Sequence, residues 1–296
     1  MLYRIRHTTS LRYDGLVRLA RLNLRLKPAD WPGQTLRKFE LIIDPPPAKI
    51  EESAGPWIVT RHRLTLTGSL ARLTIESRME VEVDEPDPAL ETAQGPAIVD
   101  VREAALDHRD LSPLGPAAYL FAAPMTPPSA EIATWAGQFL AQDRPVMEGA
   151  RALMAAIYKD FTFDGTATDV RTPAQEAFKL RRGVCQDFTH IMLIAARAHG
   201  IPAAYVSGYL RTHPPKGQPR LVGADATHAW VHLWCGEDLG WVGFDPTNDM
   251  LAGSDHIFTA MGRDYADVAP VDGVLVGGAG QRMSVSVDVE PLEPVE

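Results

Sequence analysis

The hydrophobic period changes along the chain, and this change limits the folds available to it. Segments in which apolar and polar side chains alternate, or in which short apolar runs occur, fill the N-terminal region: 2–13, 17–28, 36–45, 57–68 and 71–83. They are rich in Thr, Val, Ile and aromatic residues, and Pro, Gly and Asp lie between them. A period of two, interrupted by turn residues, is typical of short strands. The pattern predicts an N-terminal antiparallel β-sandwich.

A helical period begins near Ser129, a candidate N-cap. Helices are predicted within four segments: 127–142, 146–164, 172–183 and 185–200. Strands are then predicted within four more: 201–212, 228–236, 240–249 and 280–291. Because helices come first and strands follow, without regular alternation, the order indicates an α+β fold rather than a βαβ arrangement.

These patterns divide the chain into four parts. Residues 1–105 form the predicted β-sandwich module, and the stretch 106–128, rich in Pro, Ala and Gly, is interpreted as a linker. Residues 129–270 form a second domain that contains the helices. Residues 271–296 are predicted to be a C-terminal extension with one strand.

Charge and hydropathy exclude several classes of partner. The net charge of −9 argues against a nucleic-acid partner, which usually requires a basic surface. No apolar run approaches 18 residues, so we predict no membrane span. The N-terminal segment lacks the apolar stretch of a secretion signal, and we therefore expect a cytoplasmic protein. The oligomeric state does not follow from the sequence.

The chain has only two cysteines, Cys185 and Cys235. In the cytoplasm both are expected to be free thiols. Their spacing does not match a metal-binding pattern, and we predict neither a metal nor another cofactor. Cys235 lies in an apolar strand segment and is interpreted as a packing residue, whereas Cys185 follows the "RRGV" segment at the predicted start of a helix. Asp187 is expected to cap the first turn of that helix or to hold the loop before it.

Cys185, His228 and Asp245 form a candidate catalytic triad in chain order. A helix N-terminus and a neighbouring imidazolium both favour the thiolate, which is the nucleophilic form of cysteine. The imidazole must in turn be oriented by a third group, here a carboxylate. His228 begins a predicted strand and Asp245 ends the next one, so an antiparallel hairpin can bring the two side chains together. The amide of Cys185 is the expected first donor to an oxyanion.

Each of these residues also has a structural interpretation. Cys185 could be a small apolar filler, and Asp245 with the following proline could simply start a turn. His232 would share a strand face with His228 and could compete for the role of base. A metal site formed by His228, His232 and Asp245 is a further alternative. Gln186 is a weak candidate for a second oxyanion donor.

The segments "RRGVCQDFTHIMLIAARAHGIPAAYVSGYL", "THAWVHLW" and "GWVGFDPTND" together resemble the bacterial transglutaminase-like family of papain-like cysteine enzymes. The matching motifs are G-x-C-x-D before a helix, "GIPAAYVSGY", H-A-W at a strand start and G-[WF]-x-x-x-D-P-T. The strand-rich region also resembles the N-terminal module of bacterial members. The resemblance implies a core of helices packed on an antiparallel sheet over 129–270, with Cys185 as nucleophile, His228 as base and Asp245 as orienting residue.

The implied activity is cysteine-dependent acyl transfer on peptide or carboxamide substrates through a thioester. Hydrolysis, as in a protease or amidase, is the favoured outcome, and protein crosslinking by transamidation is the alternative. A second class of function stays open, in which the N-terminal module binds protein and the core is a non-catalytic scaffold. The partner expected for the enzyme is a protein or peptide substrate.

Overall fold

The computed structural model describes residues 1–212, 226–277 and 280–292. Its helices are α1 (Ile98–Asp107), α2 (Ala130–Ala136), α3 (Val146–Asp160), α4 (Ala174–Leu180), α5 (Cys185–Ala198) and α6 (Tyr265–Val268). Its strands are β1 (Leu2–Leu24), β2 (Gln34–Asp44), β3 (Lys49–Ala54), β4 (Thr60–Val83), β5 (Thr162–Phe163), β6 (Arg182–Gly183), β7 (Ala203–Leu210), β8 (Ala226–Trp234), β9 (Trp241–Asp245), β10 (Met250–Leu251), β11 (His256–Gly262), β12 (Val271–Gly277) and β13 (Gln281–Leu292). Among these described helices, none is long and apolar enough to cross a membrane.

The four N-terminal strands β1–β4 and the C-terminal strands β12 and β13 form one six-stranded antiparallel sheet. The long strands β1 and β4 pair along most of their length; β13 and β2 flank one half of this pair, and β12 and β3 flank the other half. An apolar cluster that includes Leu11, Leu22 and Leu73 extends through both halves. The predicted antiparallel strands of the N-terminal region are confirmed, but they belong to a single sheet, whereas the predicted β-sandwich has two.

Two pairs of predicted strands are single strands in the structure. β1 covers both 2–13 and 17–24, and β4 continues through Gly68. Gly68 has a φ of 106°, and the β1–β4 register shifts between Arg12 and Val17. Gly15, which lies between Arg12 and Val17, and Gly68 therefore mark irregularities inside paired strands, where bulges bend the chain without ending the hydrogen-bonded pairing. Turn propensity alone does not distinguish this case from a hairpin.

The second sheet is antiparallel and has the strand order β10-β9-β8-β7-β11. α5 packs on β8 and β7, and its apolar residues join those of α3 and the sheet in the largest core cluster. The N-terminal region also contacts this sheet, where Trp31 stacks on Phe258 of β11 with ring centroids 4.5 Å apart. The predicted α+β fold, with helices packed on an antiparallel sheet, is confirmed.

Three segments near the predicted domain boundaries differ in the structure from what the sequence indicated. The C-terminal extension contributes two strands, β12 and β13, where one was predicted, and both pair with β1. β12 contains Gly273 and Gly277, which weaken its strand signal, but the edge of β1 supplies its hydrogen-bond partners. α1, assigned to the N-terminal module, buries Ile98 and Val101 in the core cluster. The predicted linker contains a short 3-10 helix with Tyr119 fully buried.

Candidate active site

Cys185 is the first residue of α5, directly after the short strand β6 and the extended residue Val184. The carboxylate of Asp187 accepts hydrogen bonds from the Val184 backbone N–H (2.8 Å) and from the Thr168 hydroxyl (2.7 Å). Asp187 therefore satisfies one of the free N–H groups at the helix start, as its position in the sequence suggested. Burial raises the pKa of Asp187 even though these hydrogen bonds oppose the shift. The Asp187 hydrogen bonds thus fix the helix turn that carries the Cys185 thiol.

The cap leaves no room for a side chain at Gly183. A Cβ atom at this position would lie 2.5 Å from the Asp187 carboxylate oxygen Oδ2 and 2.8 Å from the Asp187 Cβ. We expect Gly183→Ala to displace the carboxylate and to lower the free energy of unfolding by about 1–3 kcal/mol, the usual cost of overpacking. Urea denaturation measures the change. Gly165→Ala is the matched control, since a Cβ there meets no atom within 4 Å; equal midpoints for the two variants would contradict the prediction.

His228 lies near the start of β8, and Asp245 ends β9. The antiparallel register pairs Val231 with Phe244, so Asp245 comes next to Trp230 and diagonal to His228. The Nε2–H of His228 donates to Oδ2 of Asp245 over 2.8 Å, and both side chains are buried. The structure thus brings the two predicted partners into direct contact through neighbouring strands.

The ring of His228 also faces the thiol. Cys185 and His228 line one cavity of about 320 Å³, and the interaction with Cys185 helps to raise the pKa of the imidazole. Because Nε2 is bound to Asp245, the nitrogen available to the sulfur is Nδ1. Cys185 is partly exposed at this cavity. His228 thus bonds Asp245 and also lines the cavity that holds the thiol of Cys185.

Electrostatics favour a charged histidine in this chain. Burial alone lowers the pKa of His228, but the hydrogen bonds and negative charges of Asp245 and Cys185 outweigh it and raise the pKa to about 10. For Asp245, burial opposes ionisation, yet hydrogen bonds from His228 and His256 hold its pKa well below its usual range. At neutral pH the arrangement is an imidazolium held between a carboxylate and the sulfur.

Three residues that the sequence did not single out also bind Asp245, two through their side chains and one through its backbone. The Asn248 amide donates to Oδ2 over 2.7 Å, and Nε2 of His256 lies 3.1 Å from the same oxygen. The Thr247 backbone N–H donates to Oδ1 over 2.9 Å. An Asp-Pro turn followed by Asn is a local signal that could have identified Asn248. His256 begins β11, at the other end of the sheet order, and had no such signal.

The ligand atoms of His228, Asp245 and His256 lie within 4.8 Å of one another, a spacing that could suit a metal ion. The hydrogen bonds argue against that use. The Gly253 backbone N–H donates to Nδ1 of His256 over 3.2 Å, so Nδ1 carries the lone pair and Nε2 carries the proton. A protonated Nε2 donates to the carboxylate and has no lone pair for a metal.

The remaining sequence candidates make other contacts, although Gln186 also lines the cavity at Cys185. The ring of His232 packs against Trp31 with centroids 4.7 Å apart, and burial lowers the pKa of His232 to about 3. His232 is not among the residues that line the cavity at Cys185. The Gln186 amide donates to the carbonyl of Val170 over 3.2 Å, so it holds a neighbouring loop. Cys235 is fully buried, and burial raises the pKa of its thiol far above its usual value.

Comparison with known proteins agrees with this architecture. The profile of the Transglutaminase-like superfamily matches residues 133–246, and that of the bacterial transglutaminase-like N-terminal region matches residues 3–82. An uncharacterized protein of Mycobacterium tuberculosis is 37% identical over 297 residues, which cover 98% of this chain and 93% of the relative. A protein-glutamine gamma-glutamyltransferase of Pseudomonas aeruginosa is 36% identical over 105 residues, or 33% of this chain and 16% of that protein.

Among solved structures, a protein of Cytophaga hutchinsonii described as a candidate cysteine protease has the same fold. Its TM-score is 0.75 at 20% sequence identity, and the alignment covers 100% of this chain and 92% of that protein. The two profile matches together span most of the chain and fall on the two sheets described above. The chain belongs to the transglutaminase-like superfamily and carries the N-terminal region of its bacterial members.

Proposed function

We propose that the protein is a cysteine-dependent acyl-transfer enzyme in which Cys185 is the nucleophile, His228 the general base and acid, and Asp245 the orienting carboxylate. The observation that carries this proposal is the buried 2.8 Å contact between His228 Nε2 and Asp245 Oδ2. It fixes the tautomer of the ring and leaves Nδ1 for the sulfur at the N-terminus of α5. A catalytic cysteine requires this orientation, whereas a packing cysteine does not.

The reaction begins with attack of the Cys185 thiolate on a peptide or carboxamide carbonyl carbon. The carbonyl π electrons move to oxygen, and the free N–H of Cys185 at the helix start is the proposed donor to this oxyanion. Collapse of the tetrahedral intermediate breaks the C–N bond. The departing amine or ammonia takes the proton from His228 Nδ1, and a thioester remains on Cys185.

Water then resolves the thioester in the reaction that we favour. His228, now neutral at Nδ1, accepts a proton from the water as its oxygen attacks the thioester carbon. The C–S bond breaks, the acid is released, and the thiolate–imidazolium pair is restored. Partial exposure of the thiol supports hydrolysis because it gives water access to the thioester, and the side chains of Thr168, Ser207 and Thr227 are among those that line the cavity.

Transamidation is the second candidate, in which a primary amine replaces water in the last step. The similarity of about a third of the chain to the Pseudomonas aeruginosa gamma-glutamyltransferase favours it. The two reactions share every residue named above and differ only in the nucleophile that resolves the thioester. Exclusion of water from the acyl-enzyme would be needed for transamidation to dominate.

Selective alkylation tests the proposal without a known substrate. We expect iodoacetamide to modify Cys185 rapidly at about pH 6, well below the pKa of a free thiol near 8.5, because the imidazolium of His228 favours the thiolate. His228→Ala should slow the reaction at that pH severalfold or more. Peptide mass spectrometry across pH follows both cysteines, and Cys235 is the internal control because it is fully buried. Slow labelling of Cys185 that the His228 substitution leaves unchanged would instead favour a non-catalytic binding module.

A further inference from the structure

We infer that His256 is a positioning residue for the catalytic machinery: its Nε2–H holds the Asp245 carboxylate in the orientation in which Oδ2 faces His228. The inference rests on the proposed function, and it extends the triad by one residue. His256 acts through Asp245, and it does not line the cavity at Cys185.

The direction of the hydrogen bond follows from the two sides of the ring. On one side the Gly253 backbone N–H donates to Nδ1 over 3.2 Å, which places the ring proton on Nε2. On the other side Nε2 lies 3.1 Å from Asp245 Oδ2. His256 is therefore a neutral donor with a fixed tautomer. A backbone amide sets this tautomer, so it does not depend on the protonation of another side chain.

Oδ2 of Asp245 is the shared acceptor of three side chains. His228, Asn248 and His256 approach it at 2.8, 2.7 and 3.1 Å. The Thr247 backbone N–H holds the other oxygen, Oδ1. A buried carboxylate needs several donors to stay ionised, and donors on both oxygens prevent rotation of the group. Asn248 and Thr247 belong to the same turn as Asp245, whereas His256 is the donor contributed by a distant strand.

The surroundings of the ring restrict its movement. The His256 side chain is 1% exposed, and Trp230 packs edge-on against it with ring centroids 5.2 Å apart. Among the described residues, the titratable side chains that interact with the ring are Asp245 on β9 and His228 and His232 on β8, and Asp84 and Glu85 line a larger cavity with it. Asp245 is the carboxylate that Nε2 contacts, at 3.1 Å. The contact thus joins β9 and β11 across the two strands between them, β8, which carries His228, and β7.

Loss of this donor should disturb the pair that activates the thiol. Without it, Asp245 loses one of three donors on Oδ2 and gains freedom to turn away from His228. A less well-oriented carboxylate stabilises the imidazolium less, so the thiolate forms at higher pH. If His256 served only in core packing, its replacement would lower the stability of the protein but would not change the pH dependence of Cys185 alkylation.

The test compares His256→Phe, which removes the donor but fills the space, with His256→Gln, whose amide can donate from a position close to that of Nε2. We expect the midpoint pH of Cys185 alkylation by iodoacetamide to rise by about one unit in the Phe variant, a tenfold change in thiolate fraction. In the Gln variant the midpoint should return most of the way to the wild-type value. His7→Phe, at another buried histidine that bonds Tyr209 and Thr9, should leave the midpoint unchanged.

Each outcome has a defined meaning. If the Phe variant does not fold, His256→Asn replaces it, because its shorter amide stays polar but does not reach Oδ2. A midpoint that stays at the wild-type value in a folded variant without the donor overturns the inference and leaves the triad intact. A wild-type midpoint at the ordinary thiol value of about 8.5 overturns the proposed function itself.

Discussion

Cys185→Ala is expected to abolish turnover, with kcat/KM falling at least about a thousandfold. The substitution removes the thiol that we propose forms the thioester, while His228 and Asp245 remain in contact. Residual binding of the substrate and the oxyanion donor cannot replace covalent chemistry. Because the Cys185 side chain is small and partly exposed, its removal should cost little stability.

The measurement uses a library of peptides and peptide carboxamides, with products identified by mass spectrometry in the presence and absence of a primary amine. We expect the wild-type enzyme to give mainly the acid, and an amine adduct as the main product would support transamidation instead. Cys235→Ala is the control, since it removes a thiol that is fully buried in the core cluster. Turnover that persists in Cys185→Ala, or that disappears in a folded Cys235→Ala variant, would overturn the assignment.

The fold was predictable where the spacing of apolar residues and the length of the segment both indicate the same type of element. α5 shows this, because its apolar run from Phe188 to Ala196 starts after a cap and ends before Gly200. β12 shows the opposite, since its glycines hide a strand that exists because β1 offers an unpaired edge. Long-range pairing of this kind depends on tertiary context, which propensity does not contain.

The cap of α4 illustrates a second limit. Thr172 and Gln175 have the spacing of a capping box, but the helix begins after Pro173 without a side-chain cap. The Thr172 hydroxyl instead accepts from the Asp169 backbone N–H over 2.9 Å. Two local hydrogen-bonding solutions compete here, and the neighbouring turn determines which one forms.

In the candidate site, too, some residues could be predicted from local motifs and others could not. Cys185, His228 and Asp245 each lie in a recognisable local motif, so the sequence could propose them together. His256 and Thr168 reach the site only through the arrangement of strands and loops, and nothing in the residues around them indicates a role. Groups that act through a second residue are harder to predict, because their position depends on two chain segments at once.

Asp245→Asn is expected to have the second large effect, a fall in kcat/KM of about ten thousandfold at pH 7. An amide can donate to Nε2 of His228 instead of accepting from it, which moves the ring proton to Nδ1. The nitrogen facing Cys185 then cannot accept the thiol proton. Burial lowers the pKa of His228, and Asp245 together with Cys185 outweighs this and raises it to about 10, against 6.5 for a free histidine.

The pH profile separates loss of orientation from simple misfolding. Since the fold raises the pKa of His228, the stability from the ion pair is full below about pH 6.5 and is lost as the pH rises through about 10. The alkaline limb of kcat/KM should therefore lie near pH 10 in the wild type and move down by several units in Asp245→Asn, where burial of the ring dominates. Asp107→Asn, an exposed change of the same chemistry, should leave the limb unchanged. An alkaline limb that stays near pH 10 in the Asp245→Asn variant would mean that another group holds the charge of His228, because within the described residues Asp245 is the carboxylate bound to its ring.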